Sequence, residues 1–336
     1  IIKPKDMGLL VENPVYKPFR YPWCYDAWLT QQRIHWLPEE VPLGDDVRDW
    51  QKNLSQAEKN LLTQIFRLFT QSDVDVASGY VEKYMQLFKL PEARMMMLSF
   101  GNMEAIHQHA YSLLLDTVGM PEIEYKAFAE YEEMSDKHAY ITDLKTIKSD
   151  KKTIAKALAV YSAFTEGLQL FSSFAILMNF QRYGKMKGMC QIVAYSIKDE
   201  SLHVEAMTRL FREFIKENLD IWTDDFKKEI YQICRDMVKL EEKFLDLVFE
   251  MGDIEGLTKE EMYAYNKYIA DRRLLQLGLK PNFNQKDNPL MWLDDVLGVE
   301  HQNFFEGRAT SYQKAGLRGD YGQLTFAGFN NENETK

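Results

Sequence analysis

The chain has 336 residues, 46% of them hydrophobic, 13% aromatic and 27% charged, with a formal charge of −10. That is a globular composition with length enough for a sizeable core, in one large domain or two, and it excludes a disordered chain. The acidic balance argues against a nucleic-acid partner held through its phosphates, and three scattered cysteines, Cys24, Cys190 and Cys234, argue against a disulfide framework or thiolate zinc site and for a reducing cytoplasm.

No signal peptide opens the chain, which begins at Ile1 rather than Met and is expected to lack its natural start. Residues 1–45 are proline-rich and hold three of the six tryptophans, as an arm packed over a bundle would. From there Pro91 and Pro121 are the only prolines before Pro281, which permits very long helices. Ser55-Gln-Ala-Glu58 and Thr258-Lys-Glu-Glu261 read as capping boxes. Pro91 and Pro121 suit first turns, and Gly119, Gly184 and Gly252 suit helix ends. Helices are predicted at roughly 55–88, 91–118, 122–147, 152–183, 187–217, 224–251 and 258–277. The stretch from Thr153 to Phe180 is long and apolar enough to span a bilayer, but it contains Lys156, Glu166, Gln169 and Asn179, so a buried bundle helix fits better than a membrane span. The expected division is an arm at 1–45, a helical domain at 46–285, and a C-terminal segment at 286–336 ending in a polar tail.

Helical positions three and four apart share a face. In the second predicted helix that rule aligns Met97, Phe100, Glu104, His107, Tyr111, Leu114 and Val118, an apolar stripe carrying three functional groups. His109 points elsewhere and reads as structural. A lone ExxH is a weak signal, but Lys198-Asp-Glu-Ser-Leu-His203 repeats it as Glu200 and His203, on a face shared with Val193, Ser196, Met207, Leu210 and Phe214. A carboxylate-bridged two-metal site in a four-helix bundle needs two such helices and one more carboxylate from each of two others. Glu166, the sole acid between Thr153 and Phe180, and Asp73, on a face with Leu62, Phe66, Phe69, Val76 and Tyr80, supply them. Asp75 competes with Asp73 but aligns with Gln64, Gln71, Ser72 and Glu82, a face expected to be solvated. Carboxylate and imidazole ligands without thiolate suit iron or manganese, while calcium or magnesium seldom recruits two histidines. Tyr111 lies one turn beyond His107, about 6 Å along the axis, either as an ordinary core tyrosine or as a phenol that a redox metal pair oxidises.

The upstream Asp73, Glu104-Ala-Ile-His107-x-x-x-Tyr111, the lone Glu166 and Lys198-Asp-Glu-Ser-Leu-His203 together resemble the small, radical-generating subunit of class I ribonucleotide reductase. The resemblance runs from HWLPEEVPL near residue 35 to NFFEGRATSYQKAG ending at Gly316. It implies a ferritin-like, all-α fold, a homodimer, and Asp73, Glu104, His107, Glu166, Glu200 and His203 as ligands of two metal ions. Fe/Fe comes first among the pairs, with Mn/Fe and Mn/Mn as alternatives. It implies that the metals activate molecular oxygen and oxidise Tyr111 to a radical. Trp36 then matches the start of a radical-transfer route, Asp199 its link to His107, and Tyr312 the tail tyrosine that carries the radical to a separate large subunit, where ribonucleotides become deoxyribonucleotides. The large subunit would bind the C-terminal tail. For Trp36 and Tyr312 the residues alone are equally compatible with packing and with an ordinary exposed aromatic. Ser196 departs from what isolates a radical best, since it sets a hydroxyl on the site-facing side. An acyl-carrier-protein desaturase also uses paired ExxH helices, but has no use for Trp36, Tyr111 and Tyr312 together. Ferritin-like iron storage is the non-enzymatic alternative, but ferritin chains are shorter and lack the tail motif.

Overall fold

A computed structural model describes residues 8–120, 132, 133, 135, 136 and 150–297. Helix α1 spans Pro22–Ile34 and α2 Gly44–Arg48, the latter followed by a π turn, Asp49–Asn53. Helix α3, Gln56–Gly79, continues through a second π turn, Tyr80–Tyr84, into a last turn at Met85–Leu87. Helix α4 is Pro91–Val118. Helix α5, Lys151–Leu158, passes into a long π segment, Ala159–Leu170, and then into α6, Phe171–Arg182. Helices α7, Lys187–Glu217, α8, Asp224–Val248, and α9, Lys259–Gln276, follow. Among the described residues the sole β pairing is an isolated bridge between Ile254 and Leu257.

The local chemistry expected at the helix ends is present. Ser55 Oγ accepts the Glu58 amide at 3.1 Å while Glu58 Oε2 accepts the Ser55 amide at 2.7 Å, and Thr258 and Glu261 repeat the exchange. Pro91 sits in the first turn of α4, and Gly119 closes that helix in the left-handed region at φ 80°. Gly184 and Gly252 also take positive φ just past helix ends. Pro121 and nearly all of the helix expected near 122–147 lie outside the described residues.

Two features depart from the expected pattern. Helix α1 lies inside the supposed arm, where crowded prolines obscure the three-and-four spacing of its buried residues Cys24, Ala27 and Gln31. The π segment is a wider coil within what reads as one regular helix, and the local sign of it is Gly167, the segment's sole glycine.

Helix α3 packs along α4, α7 packs against the π segment and α6, and α4 meets α7, so these elements enclose a four-helix centre. Helix α1 lies across α4 and α7. Every residue from 157 to 170 is buried, which accounts for the apolar run without a bilayer. No helix among the described residues is long and apolar enough to cross a membrane. Residues through Val296 form one compact unit.

The start of α7 is held from α2. Asp46 accepts the Gly188 and Met189 amides at 2.8 Å each, and Asp49 accepts the Met186 amide at 2.8 Å. These carboxylates satisfy donors that a helix leaves open and lie at its positive end. Gly188 is required by this approach, since a Cβ there would stand 2.6 Å from the Pro42 carbonyl and 2.7 Å from Asp46 Oδ2. Replacing Asp46 with Ala strands two buried amides, and the expected cost is about 1–3 kcal/mol per stranded group. Urea denaturation of Asp46→Ala should show a lowered midpoint with an unchanged slope.

Candidate metal centre

Glu104 and His107 sit at the middle of α4, and Glu200 and His203 at the middle of α7, each pair one turn apart. Asp73 comes from α3 and Glu166 from the π segment. All six are at most 2% exposed. Mid-helix positions cannot fray, so the backbone under these groups is rigid.

The six converge in two overlapping groups. Ligand atoms of Asp73, Glu104 and His107 lie within 4.8 Å of one another, and so do those of Glu104, Glu166, Glu200 and His203. Both imidazoles turn Nδ1 inward. His107 Nδ1 is 3.6 Å from Glu104 and 3.3 Å from Glu200, while His203 Nδ1 is 3.1 Å from Glu104 and 3.5 Å from Glu200. Glu104 and Glu200 therefore each face both histidines, as bridging carboxylates would. Among the described residues, both oxygens of Glu104 and Glu200, one oxygen each of Asp73 and Glu166, and His203 Nδ1 have no hydrogen-bond partner. The contacts around His203 Nδ1 are close enough for attraction but lack hydrogen-bond alignment.

Buried acceptors are normally satisfied. Two carboxylates at 4 Å also repel by about 4 kcal/mol even at an effective dielectric of 20. Two cations would satisfy every inward atom and cancel that repulsion. The donor set of four carboxylates and two imidazoles fits a pair of iron or manganese ions.

Behind this shell lies a hydrogen-bonded ring. His107 Nε2 meets Asp199 Oδ2 at 3.0 Å, and Trp36 Nε1 donates to the same oxygen at 2.8 Å. Gln31 Nε2 donates to Asp199 Oδ1 at 2.7 Å, and Gln31 Oε1 faces His203 Nε2 at 3.1 Å. With acceptors on both Nε2 atoms, each ring carries its proton there and leaves Nδ1 as a lone pair for a metal.

Two buried phenols flank the cluster. Tyr111 donates to Ser196 Oγ at 3.2 Å, and Ser196 donates onward to the Ile192 carbonyl at 3.1 Å. Phe69 packs on the Tyr111 ring at 4.9 Å. Tyr80 donates to Glu166 Oε1 at 2.8 Å.

The family model described as ribonucleotide reductase, small chain, matches residues 14–289. The chain belongs to that family. A relative named as a probable ribonucleoside-diphosphate reductase small subunit, from Invertebrate iridescent virus 6, is 44% identical over 95% of this chain and 99% of its own length. The solved ribonucleotide reductase R2 subunit from Clostridium botulinum superposes with a TM-score of 0.78 at 25% identity, covering 82% of this chain and 88% of that one. In fold the chain also resembles the dimanganese(II)-NrdF structure from Streptococcus sanguinis, with a TM-score of 0.73 at 20% identity over 86% and 99% of the two chains. The ferritin-like architecture expected from sequence is thus present, and the chain is a ribonucleotide reductase small subunit.

Within this small subunit the structure brings Asp73, Glu104, His107, Glu166, Glu200 and His203 together, with Tyr111, Trp36 and Asp199 around them. Tyr312 lies outside the described residues. His109 is exposed and pairs with Glu39 at 3.1 Å, away from the cluster. Asp75 requires a correction. It is only 4% exposed, and Gln64 on the same face is buried too, while Gln71 and Ser72 are half-buried; Gln71 bonds to Asp75 at 3.5 Å. It stays outside the metal-binding groups. Gln31 was not singled out from sequence, and its signal was the spacing of Cys24, Ala27 and Gln31 after Pro22. Tyr80 lay on the Asp73 face but read as packing.

Without metal the small subunit's cluster must hold protons instead. Burial, and then the neighbouring Glu104, pushes Asp73 well above the ordinary carboxylate range, and burial with Glu200 does the same to Glu166. Burial also opposes charge on Glu200, but His107 and His203 outweigh it and hold Glu200 low. Burial disfavours a charged His203 too, yet Glu104 and Glu200 raise it from 6.5 to about 10. A raised folded-state value means stability present below the unfolded value and lost as pH climbs through the folded one. Metal-free protein should therefore lose thermal stability between pH 6.5 and about 10. Metal-loaded protein, with His203 neutral as a ligand, should not, so the gap in Tm between the two should widen with pH in calorimetry.

Proposed function

We propose that this chain houses two metal ions per subunit, iron in first place, and uses them to make and export the radical on which ribonucleotide reduction depends. The observation that carries the reading is the pair of buried ligand groups sharing Glu104, with both Nδ1 atoms turned inward. Asp73, Glu104 and His107 would hold one ion, and Glu166, Glu200 and His203 the other, with Glu104 and Glu200 between them. The neighbour from Streptococcus sanguinis is a dimanganese protein, so Mn/Mn and Mn/Fe stand beside Fe/Fe. Bound there, a redox-active pair would supply oxygen activation and one-electron oxidation of a nearby phenol.

The chain's own residues do the rest. Tyr111 is 2% exposed and is held as a neutral phenol, because burial and then Asp73 push its ionisation up. Oxidation must therefore remove a proton with the electron; Ser196 Oγ accepts the hydrogen bond that orients the hydroxyl, and the base that takes the proton would be supplied with the metal pair. Phe69 over the ring excludes water that would quench a radical. Trp36 stacks near His107, with centroids 6.1 Å apart, and shares Asp199 with it, so electron and proton can leave the site along Trp36–Asp199–His107. Tyr312, in the C-terminal segment 286–336, would pass the radical to a cysteine of a separate large subunit bound to the tail. The reading assigns residues 1–45 to a covering arm and 46–285 to the metal-binding bundle. A homodimer is supported by exposed apolar side chains on α3, on the π turn that follows it and on α4, namely Val74, Val81 and Leu98, with Val81 near Gly101 of α4. A reducing cytoplasm suits three cysteines of which none is in a disulfide.

Ferrous-loaded protein exposed to oxygen should give an organic radical signal in electron paramagnetic resonance, together with about two metal ions per chain by elemental analysis. Tyr111→Phe should abolish that signal with the metal content retained, and a wild-type-like signal in the variant would sink the Tyr111 assignment. Tyr312→Phe should form the radical normally yet support no ribonucleotide reduction with the large subunit. Retained turnover would remove Tyr312 from the route.

A further inference from the structure

The Tyr80 phenol donates to one oxygen of a candidate ligand and leaves the other oxygen bare. Tyr80 is 2% exposed and bonds Glu166 Oε1 at 2.8 Å, while Glu166 Oε2 is buried and has no partner among the described residues. The ring itself has little freedom. Tyr84 and Phe100 each meet it edge-on with centroids 5.9 Å away, and His203 lies at 6.1 Å. On the α4 side, a Cβ on Gly101 would stand 3.5 Å from Tyr80 Cβ, ordinary contact with no space to spare.

We propose that Tyr80 is a positioning residue for Glu166: its hydroxyl occupies Oε1, so that the carboxylate presents Oε2 alone to the metal-binding cavity. This rests on the metal-centre reading above. The need for such a clamp follows from the backbone. Glu166 has three side-chain torsions and projects from the π segment, whose wider coil does not hold side chains in the register of an α-helix. Asp73, its counterpart, has two torsions and projects from regular α-helix. Tyr80 opens its own π turn at the end of α3. That same turn carries Tyr84, whose hydroxyl donates to the Ala157 carbonyl at 3.1 Å. The two phenols thus tie α3 to the chain entering and crossing the π segment, Tyr84 through backbone and Tyr80 through the ligand. With Oε1 engaged, chelation through both oxygens is opposed, and the two metal positions are made unequal.

The test is an anaerobic titration of the metal-free full chain with Co(II), followed by its visible d–d bands, in wild type, Tyr80→Phe and Tyr84→Phe. Tyr84→Phe is the matched control, losing a buried phenol on the same turn that touches no candidate ligand. Far-UV circular dichroism checks that the folds agree. Wild type should bind two Co(II). In Tyr80→Phe one of the two ions should bind about 10–100-fold more weakly, the usual effect of losing a partner that orients a ligand, with an altered band for that ion. Tyr84→Phe should keep both binding constants and both bands. A double-mutant cycle adds a readout that packing alone would not move: Tyr80→Phe should have no further effect on Co(II) binding once Glu166→Gln is present. Wild-type constants and bands in Tyr80→Phe, an equal loss in Tyr84→Phe, or an undiminished Tyr80→Phe effect alongside Glu166→Gln would each overturn the proposal. Fewer than two Co(II) bound by wild type would instead overturn the metal-centre reading on which it stands.

Discussion

Four carboxylates closing on one another in a water-free interior set the terms for the rest of this molecule. Asp73, Glu104, Glu166 and Glu200 are at most 2% exposed, and their free oxygens face one another rather than donors. Packing must carry that burden. Glu104 and Glu200 occupy the centres of two long helices, α4 and α7, where both flanks extend into apolar core. The start of α7 is further held by Asp46 and Asp49. A buried like-charge cluster held at such cost is a mark of function rather than of stability.

Periodicity and composition made much of this legible, because both ExxH pairs and Asp73 lie on largely apolar helix faces and Glu166 is the sole acid of a long apolar run. The stripe through Met97, Phe100, Glu104, His107, Tyr111 and Leu114 is buried throughout. What periodicity conveys is direction from one helix, not what stands opposite. Asp75 shows the difference, since it points away from the cluster yet remains buried. Nor does a 3.6-residue period hold across Ala159–Leu170, where the coil widens in a stretch that includes Gly167, next to Glu166. Gln31 was hidden for a third reason. Its spacing after Cys24 and Ala27 marks a buried face but names no partner, and its role appears only when α1 is laid across α4 and α7.

Asp199 and Glu200 are adjacent in sequence and opposite in use. A step of about 100° between neighbouring helical residues sends Glu200 into the cluster and Asp199 behind His107. From there one carboxylate gathers Trp36, Gln31 and His107, and through Gln31 it also reaches His203. Both imidazole tautomers are therefore set by a single group. The hydrogen bonds that orient the candidate ligands also connect the cluster with the buried Trp36, so the geometry of those ligands and the placement of Trp36 cannot vary independently.

The two phenols divide the cluster's surroundings unequally. Tyr111 bonds a neutral hydroxyl, Ser196, which is itself spent on the Ile192 carbonyl. Tyr80 bonds a carboxylate that has a competing use. A hydrogen bond to an ionised acceptor is roughly twice as strong as one to a neutral acceptor, so Tyr80 is the more firmly held and Tyr111 the freer to give up its proton without disturbing a ligand. If Tyr80 lost its proton and an electron, Glu166 would lose its clamp at the moment the site changed charge. If Tyr111 did so, every candidate ligand would keep its hydrogen bonds. The geometry therefore separates a phenol suited to holding the site from one suited to being oxidised by it.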